Sequence, residues 1–271
     1  MKNGRKKQEQ IHLGAHGEDY GNWMPVSMLQ LVGGLAVLAA VLSLLSLAVF
    51  HITALGVVFV IAALLLLALL LWITWIRRQY AFGSGGMMEQ VHQVVLSHLD
   101  FDGQGQRLDV GCGSGALSIR AALIWRAAQV VGIDYWGSAY GYGQAMCEKN
   151  AASEGVAARC RFQHGDANKL DFPDESFDAV VSNYVYHNIT GADKRALLQE
   201  TLRVLKKGGV FALNDEMKHH MYGDMEAFAQ ELRDIGYEDV RLIDTAQEAF
   251  GSRRRAGMMM LGDSRMLVGR K

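Results

Sequence analysis

The run Leu108-Asp109-Val110-Gly111-Cys112-Gly113-Ser114-Gly115 ends in glycines at alternate positions. Such spacing lets a backbone turn sharply from a strand into a helix and leaves room for a ligand against the main chain. The helix that follows offers N–H groups without intrahelical partners. In a chain with 30 glycines this pattern alone is a weak signal, which chance or a structural turn could also produce. Asp134 sharpens it. It stands 19 residues after Gly115, closing the apolar stretch that starts at Val130. A carboxylate at that place accepts hydrogen bonds from ribose hydroxyls in doubly wound nucleotide-binding folds.

Other polar residues sit where further strands are expected to end. Asn183-Tyr184-Val185-Tyr186-His187-Asn188 follows the apolar FDAVVS stretch, and His187 is a candidate base or substrate ligand, or else a histidine bonded to nearby backbone. Asp215-Glu216 and His219-His220 follow a later strand, but their spacing is not diagnostic of a metal and none is expected. Cys112, Cys147 and Cys160 have no framework spacing and read as reduced thiols, with Cys112 a small packing residue in the absence of a cationic neighbour. Met258-Met259-Met260 reads as core filling. Arg253-Arg254-Arg255 reads as a solvated face or, if the domain lies on a bilayer, a contact for anionic lipid.

The elements that position these residues alternate. Strands are expected at 107–110, 130–134, 159–164, 177–182, 210–213, 240–243 and 266–268. Helices are expected at 87–99, 116–128, 142–154, 192–205 and 225–235, the fourth stopped by Gly208-Gly209. The pattern implies a mostly parallel sheet covered on both faces.

With these elements in place, the sequence from Met87 to Lys271 resembles the class I S-adenosylmethionine-dependent methyltransferases. The glycine motif has their GxGxG form rather than the GxGxxG of dinucleotide dehydrogenases, which disfavours a nicotinamide oxidoreductase. Gly165-Asp166-Ala167 resembles the segment that holds adenine. The stretches from Leu170 to Asp178 and from Leu202 to Gly209 are similar to the lead into strand four and the turn into strand five. The resemblance implies an α/β fold, a doubly wound, mostly parallel seven-stranded Rossmann-like sheet. It implies S-adenosylmethionine as cofactor. Asp109 would meet the methionyl ammonium, and Gly111, Gly113 and Gly115 would form the floor under the cofactor. Asp134 would bind ribose with Tyr135 beside the adenine, Asp166 and Ala167 would read the adenine edge, and Asn183 would lie near the sulfonium. The loop after strand four departs from the Asn/Asp-Pro-Pro-aromatic signature of amine methylation. It looks like the small-molecule branch, which makes His187 and Tyr184 the catalytic candidates and a small molecule the methyl acceptor. The alternative is a non-catalytic, membrane-tethered binding or scaffold protein.

Composition supplies the rest. Half the residues are hydrophobic, yet the formal net charge is only -1, and no Asp, Glu, Lys or Arg occurs from Tyr20 to Ile76. Without a basic surplus a nucleic-acid partner is not expected. The uncharged run holds two apolar spans, Met28–Phe50 and Ile52–Ile76, each long enough as a helix to cross a bilayer. Gly33, Gly34, Ala36, Ala39, Ala40 and Ser43 offer a close helix contact. Lys2, Arg5, Lys6 and Lys7 precede the spans, Arg77 and Arg78 follow them, and the turn has neither Lys nor Arg. Both termini and the large domain are therefore expected in the cytoplasm, with the lipid bilayer as a partner. The expected division is a tail over 1–27, two transmembrane helices over 28–76, and a methyltransferase domain over 77–271.

Overall fold

The computed structural model describes residues 13–14, 18–83, 86–137 and 141–271. Lys2, Arg5, Lys6 and Lys7 lie outside them. The chain divides into two compact units, one of residues 22–81 and one that joins the described residues up to Gly21 to those from Phe82 onward. The hairpin is thus an insertion into the large unit: the described tail residues up to Gly21 belong to the large unit, whereas residues 22–27 of the expected tail and 77–81 of the expected domain belong to the inserted one.

The inserted unit is a pair of helices, α1 (Val26–Leu44), extended by a π-helical turn over Leu45–Val49, and α2 (Thr53–Gln79). His51, at φ 55°, reverses the chain between them. Less exposed residues recur at 29, 32, 36, 39, 43 and 46 on the first helix and its extension, and at 56, 59, 63, 66, 70 and 73 on the second. This alternation of three and four is the seam of helices packed side by side. Ser43 Oγ donates to the Gly56 carbonyl at 3.1 Å. Gly56 is needed there, because a Cβ would come within 2.4 Å of Leu47. Gly34 and Ala40, expected at the contact, face outward instead. So do Leu31, Val37, Leu64, Leu65 and Leu71, all at least 60% exposed. Both helices are long and apolar enough to span a membrane.

The large unit carries a seven-stranded sheet ordered β3-β2-β1-β4-β5-β7-β6. Its strands are β1 (Gln106–Val110), β2 (Gln129–Asp134), β3 (Cys160–His164), β4 (Phe177–Asn183), β5 (Leu205–Glu216), β6 (Glu238–Ile243) and β7 (Ser264–Arg270). β7 runs antiparallel to both neighbours, and the other pairings are parallel. β1 and β4 pair although they are distant in sequence, so the order reverses between them. That reversal opens a crevice at their carboxyl ends, where such sheets bind ligands.

Helices cover both faces. On one side α6 (Lys194–Arg203) and α8 (Met225–Asp234) pack Leu197, Leu198, Leu202, Phe228 and Leu232 against Leu108, Val180 and Phe211. On the other, α4 (Ala116–Ile124) and α5 (Gln144–Ser153) pack Ile119, Cys147 and Ala151 against Val130 and Phe162. α3 (Met87–Ser97) precedes β1. Strand alternation sends Leu108 and Val110 to the first side and leaves Asp109 for the second.

α6 stops two residues earlier than expected. Leu205 is drawn into the sheet as the partner of Phe177, so the helix ends at Arg203, whose guanidinium bonds the carbonyls of Leu170 and Phe172. Gly208 and Gly209 therefore sit inside β5. Three short helices lay outside the sequence expectation: α7 (His219–Tyr222), α9 (Thr245–Phe250) and α10 (Arg253–Met258). Side-chain caps explain the last two, with Asp244 accepting from Gln247 N and Ser252 from Arg255 N. Met259 is buried, whereas Met258 and Met260 are exposed, so the methionine run fills the core with only one member.

Candidate active site

The glycine turn after β1 is built by backbone bonds and held by side chains. Gly111 N and Cys112 N both donate to the Ile133 carbonyl, at 2.8 and 2.9 Å. Gly111, Gly113 and Gly115 have φ of 74°, 56° and 83°, a region that L side chains rarely enter. At Gly111 a Cβ would also fall 2.2 Å from Val185, in the loop after β4. The turn and that loop are thus in direct contact across the β1–β4 reversal.

Asp134 ends β2 beside the turn. Its Oδ2 accepts from Gly113 N at 2.8 Å and its Oδ1 from Trp136 N at 2.7 Å. Each oxygen keeps a further lone pair for a ligand hydroxyl. The Trp136 indole returns to the same turn, donating to the Gly113 carbonyl at 2.8 Å, and Cys147 Sγ approaches that carbonyl at 3.2 Å. Sequence reasoning missed Trp136. Its adjacency to Tyr135 was the available signal, but its positive φ of 45° was not foreseeable from residue type.

Asp109 is almost fully buried and accepts from Ser118 Oγ, on α4, at 2.6 Å. Burial pushes its carboxyl up to about 6, against the opposing effects of Ser118 and the buried Arg107. Tyr135 is 65% exposed, with its ring 5.1 Å from that of His164. Asp166, after β3, is exposed and accepts from the Asn168 backbone and side chain, which hold it below the usual carboxylate range. Ala167 is tucked into the core beside it. The thiol of Cys112 is driven up by burial first and by Cys147 next, which suits the packing role expected of it.

The ends of β4 and β5 supply a second cluster. Asn183 Oδ1 accepts from Asn214 Nδ2 at 2.8 Å. Tyr184 has φ 58° and is buried, and its hydroxyl shares a bond with Ser264 Oγ at 2.6 Å, which in turn donates to Glu216 at 2.8 Å. This chain leads toward β7. His187 sits in the 3₁₀ turn Tyr186–Asn188 with its Nδ1 hydrogen-bonded to Asp215 Oδ1. Asp215 is fully buried and also accepts from Tyr186 N at 2.7 Å and His187 N at 3.2 Å. The Tyr222 phenol packs near it and is held above its usual pKa, by burial first and by the Asp215 carboxylate next. His187 remains partly open to solvent. An imidazole fixed at Nδ1 by a buried carboxylate keeps Nε2 for a proton. Asp215 appeared in the sequence beside His219 and His220. The fold pairs it with His187 instead, and no group of three metal-ligating side chains forms among the described residues.

A mostly parallel sheet with this order, an antiparallel β7 between β5 and β6, and a glycine turn facing a carboxylate on β2 make up a Rossmann-like methyltransferase fold. Comparison with known proteins agrees: residues 108–213 match the family described as "Methyltransferase domain". Among curated relatives, a sterol 24-C-methyltransferase of Aspergillus fumigatus is 33% identical over 132 residues, 48% of this chain and 33% of that protein. A ubiquinone/menaquinone biosynthesis C-methyltransferase of Desulfotalea psychrophila is 32% identical over 127 residues, 46% of each chain. This chain therefore spans a third to a half of the length of these relatives. A solved geranyl diphosphate methyltransferase in complex with SAM shares the fold with a TM-score of 0.52, at 14% identity, over 69% of this chain and 90% of that one.

The residues present suit S-adenosylmethionine. A turn of positive-φ glycines, the Asp134 carboxylate bonded to it, and polar residues after β3 and β4 all lie at carboxyl ends of neighbouring strands.

Proposed function

We propose that the protein is a membrane-anchored S-adenosylmethionine-dependent methyltransferase that acts on a small, lipophilic molecule. The observation that carries this reading is the neighbourhood of the glycine turn and the His187 loop, joined where Gly111 meets Val185.

In this reading Asp134 takes the ribose hydroxyls, Asp166 and the backbone of Ala167 take the adenine edge, and Tyr135 lies beside the ring. Asp109 faces the methionyl ammonium. Burial raises its pKa to about 6, so above that pH it is a buried carboxylate that a bound cation would stabilise. Asn183 lies near the reacting centre. The bound cofactor supplies an electrophilic methyl group. The chain's own contribution is to orient the acceptor, exclude water, and take up a proton at His187 Nε2 while Asp215 steadies the imidazolium. Tyr184 acts by position, since its bond to Ser264 ties the end of β4 to β7.

The outward faces of α1 and α2 are apolar along their length, a surface that water does not favour and lipid does. Lys and Arg residues flank both ends of the hairpin and neither type occurs in its turn, which supports cytoplasmic termini and a cytoplasmic large domain. An enzyme held at a bilayer meets lipid-soluble acceptors at raised local concentration. The sterol and quinone names of the relatives fit that class.

Calorimetry of S-adenosylmethionine on the full chain in detergent tests the cofactor assignment. Saturable binding at one site is expected, lost or strongly weakened in Asp134→Ala. A folded chain that binds no S-adenosylmethionine would refute the reading.

A further inference from the structure

The segment just before the hairpin is built into the wall of the glycine turn. Tyr20 is 3% exposed and shares a core with Cys112, Ile119 and Cys147. Its hydroxyl bonds Glu154, after α5, at 3.3 Å, and its ring lies 5.2 Å from that of Phe82. Asn150, 1% exposed on α5, donates from one amide nitrogen to the Asp19 carbonyl at 2.9 Å and to the Ser114 carbonyl, inside the turn, at 3.1 Å.

Tyr142 makes the second link. A Cβ on Gly21 would stand 2.4 Å from Tyr142 Cε1, and a Cβ on Gly113 would stand 3.5 Å from Cδ2 of the same ring. One edge of the ring therefore rests on Gly21 and the opposite edge faces Gly113. Gly21, at φ 67°, is the residue type this close approach needs.

We infer that residues 18–21 form a strap that sets the cofactor turn, with Tyr142 and Asn150 as positioning residues. The inference rests on the cofactor assignment above and adds to it a part of the chain outside the matched methyltransferase segment. Asn22 follows directly, so the strap that shapes the turn is also the lead into the apolar hairpin. Packing of the ring between two glycines transmits any shift of the strap to Gly113, whose N–H and carbonyl bond Asp134 and Trp136.

A double-mutant cycle on the full chain in detergent tests this, with S-adenosylmethionine affinity by calorimetry and thermal unfolding as readouts. Gly21→Ala drives a methyl into Tyr142 and is expected to raise Kd about tenfold, as is Tyr142→Ala. Tyr142→Phe keeps the ring and should restore affinity to within about twofold. In the Tyr142→Ala background, Gly21→Ala should cost no further affinity, because the contact it disturbs is gone. A merely structural role would lower the melting temperature without this coupling or rescue. If wild type binds and folded Gly21→Ala or Tyr142→Ala binds equally well, the strap is overturned while the cofactor assignment stands. The same holds if the two losses multiply. If wild type itself does not bind, the cofactor assignment fails and the strap falls with it. Should Gly21→Ala not fold, the half-buried Tyr142 and its Phe and Ala variants still decide the outcome.

Discussion

His187 and Asp215 come from the ends of two adjacent strands and meet through Nδ1 and Oδ1. The carboxylate is buried and the imidazole is partly open, so the pair holds one ring nitrogen and presents the other. In the proposed reading this arrangement orients a base. It predicts that His187→Gln and Asp215→Asn each lower methyl transfer about a hundredfold while S-adenosylmethionine binding stays near wild type. Initial rates of label transfer, set beside calorimetry of the same preparations, check it. Equal loss of binding in both variants would mean that the pair only supports the fold.

Asp109 gives a pH dependence. Its folded carboxyl has a pKa of about 6 against an ordinary 3.8, so the folded state holds the proton more tightly than the unfolded one. The group costs nothing below pH 4, and stability is lost as pH rises from about 4 to about 6. Asp109→Asn should therefore stabilise the ligand-free chain above pH 6, by at most about 3 kcal/mol, with no gain below pH 4. It should also weaken S-adenosylmethionine binding. Thermal unfolding of both proteins from pH 4 to 8 measures the first effect.

The three motif glycines are not equivalent. Both Gly111 and Gly113 have positive φ, but Gly111→Ala meets Val185 at 2.2 Å, whereas Gly113→Ala meets only ordinary contacts, 3.5 Å from Tyr142. We expect Gly111→Ala to cost about 2–4 kcal/mol of stability and Gly113→Ala about 1 kcal/mol. Chemical denaturation should rank them in that order. The reverse order would contradict the packing between the turn and the loop after β4.

The hairpin reading predicts opposite accessibilities for its turn and the domain. In intact cells a membrane-impermeant maleimide should label His51→Cys from outside and leave Arg254→Cys unlabelled until the membrane is opened. Cys112 and Cys147 are buried and give little background. Labelling of both positions from the same side would remove the transmembrane assignment.

Much of this fold was legible because its cues are local. The apolar stretches ending in Val110, Asp134 and Ser182 announced strands, and the glycines after Val110 announced the turn. The spacing of Leu205 with Leu197, Leu198 and Leu202 suits a helix. Pairing with Phe177, a contact 28 residues away, decides otherwise. The same limit applies to the site. Asp109, Asp134 and the glycines lie on one βαβ segment and could be read as a motif, whereas the link from His187 to Asp215 spans two strands and no spacing rule announces it. Trp136, Tyr142 and Asn150 were silent for a similar reason. Each acts through a backbone group or glycine surface that only the fold brings near.

The central claim is transfer of a methyl group to a lipid-soluble small molecule through the His187–Asp215 site. Its most direct measurement incubates the full chain in lipid nanodiscs with methyl-labelled S-adenosylmethionine and an organic extract of native membranes. The account predicts label in a small, organic-extractable product, formed by wild type and reduced about a hundredfold by Asp215→Asn. Binding of S-adenosylmethionine with no label leaving it, or equal labelling by wild type and Asp215→Asn, would contradict the account.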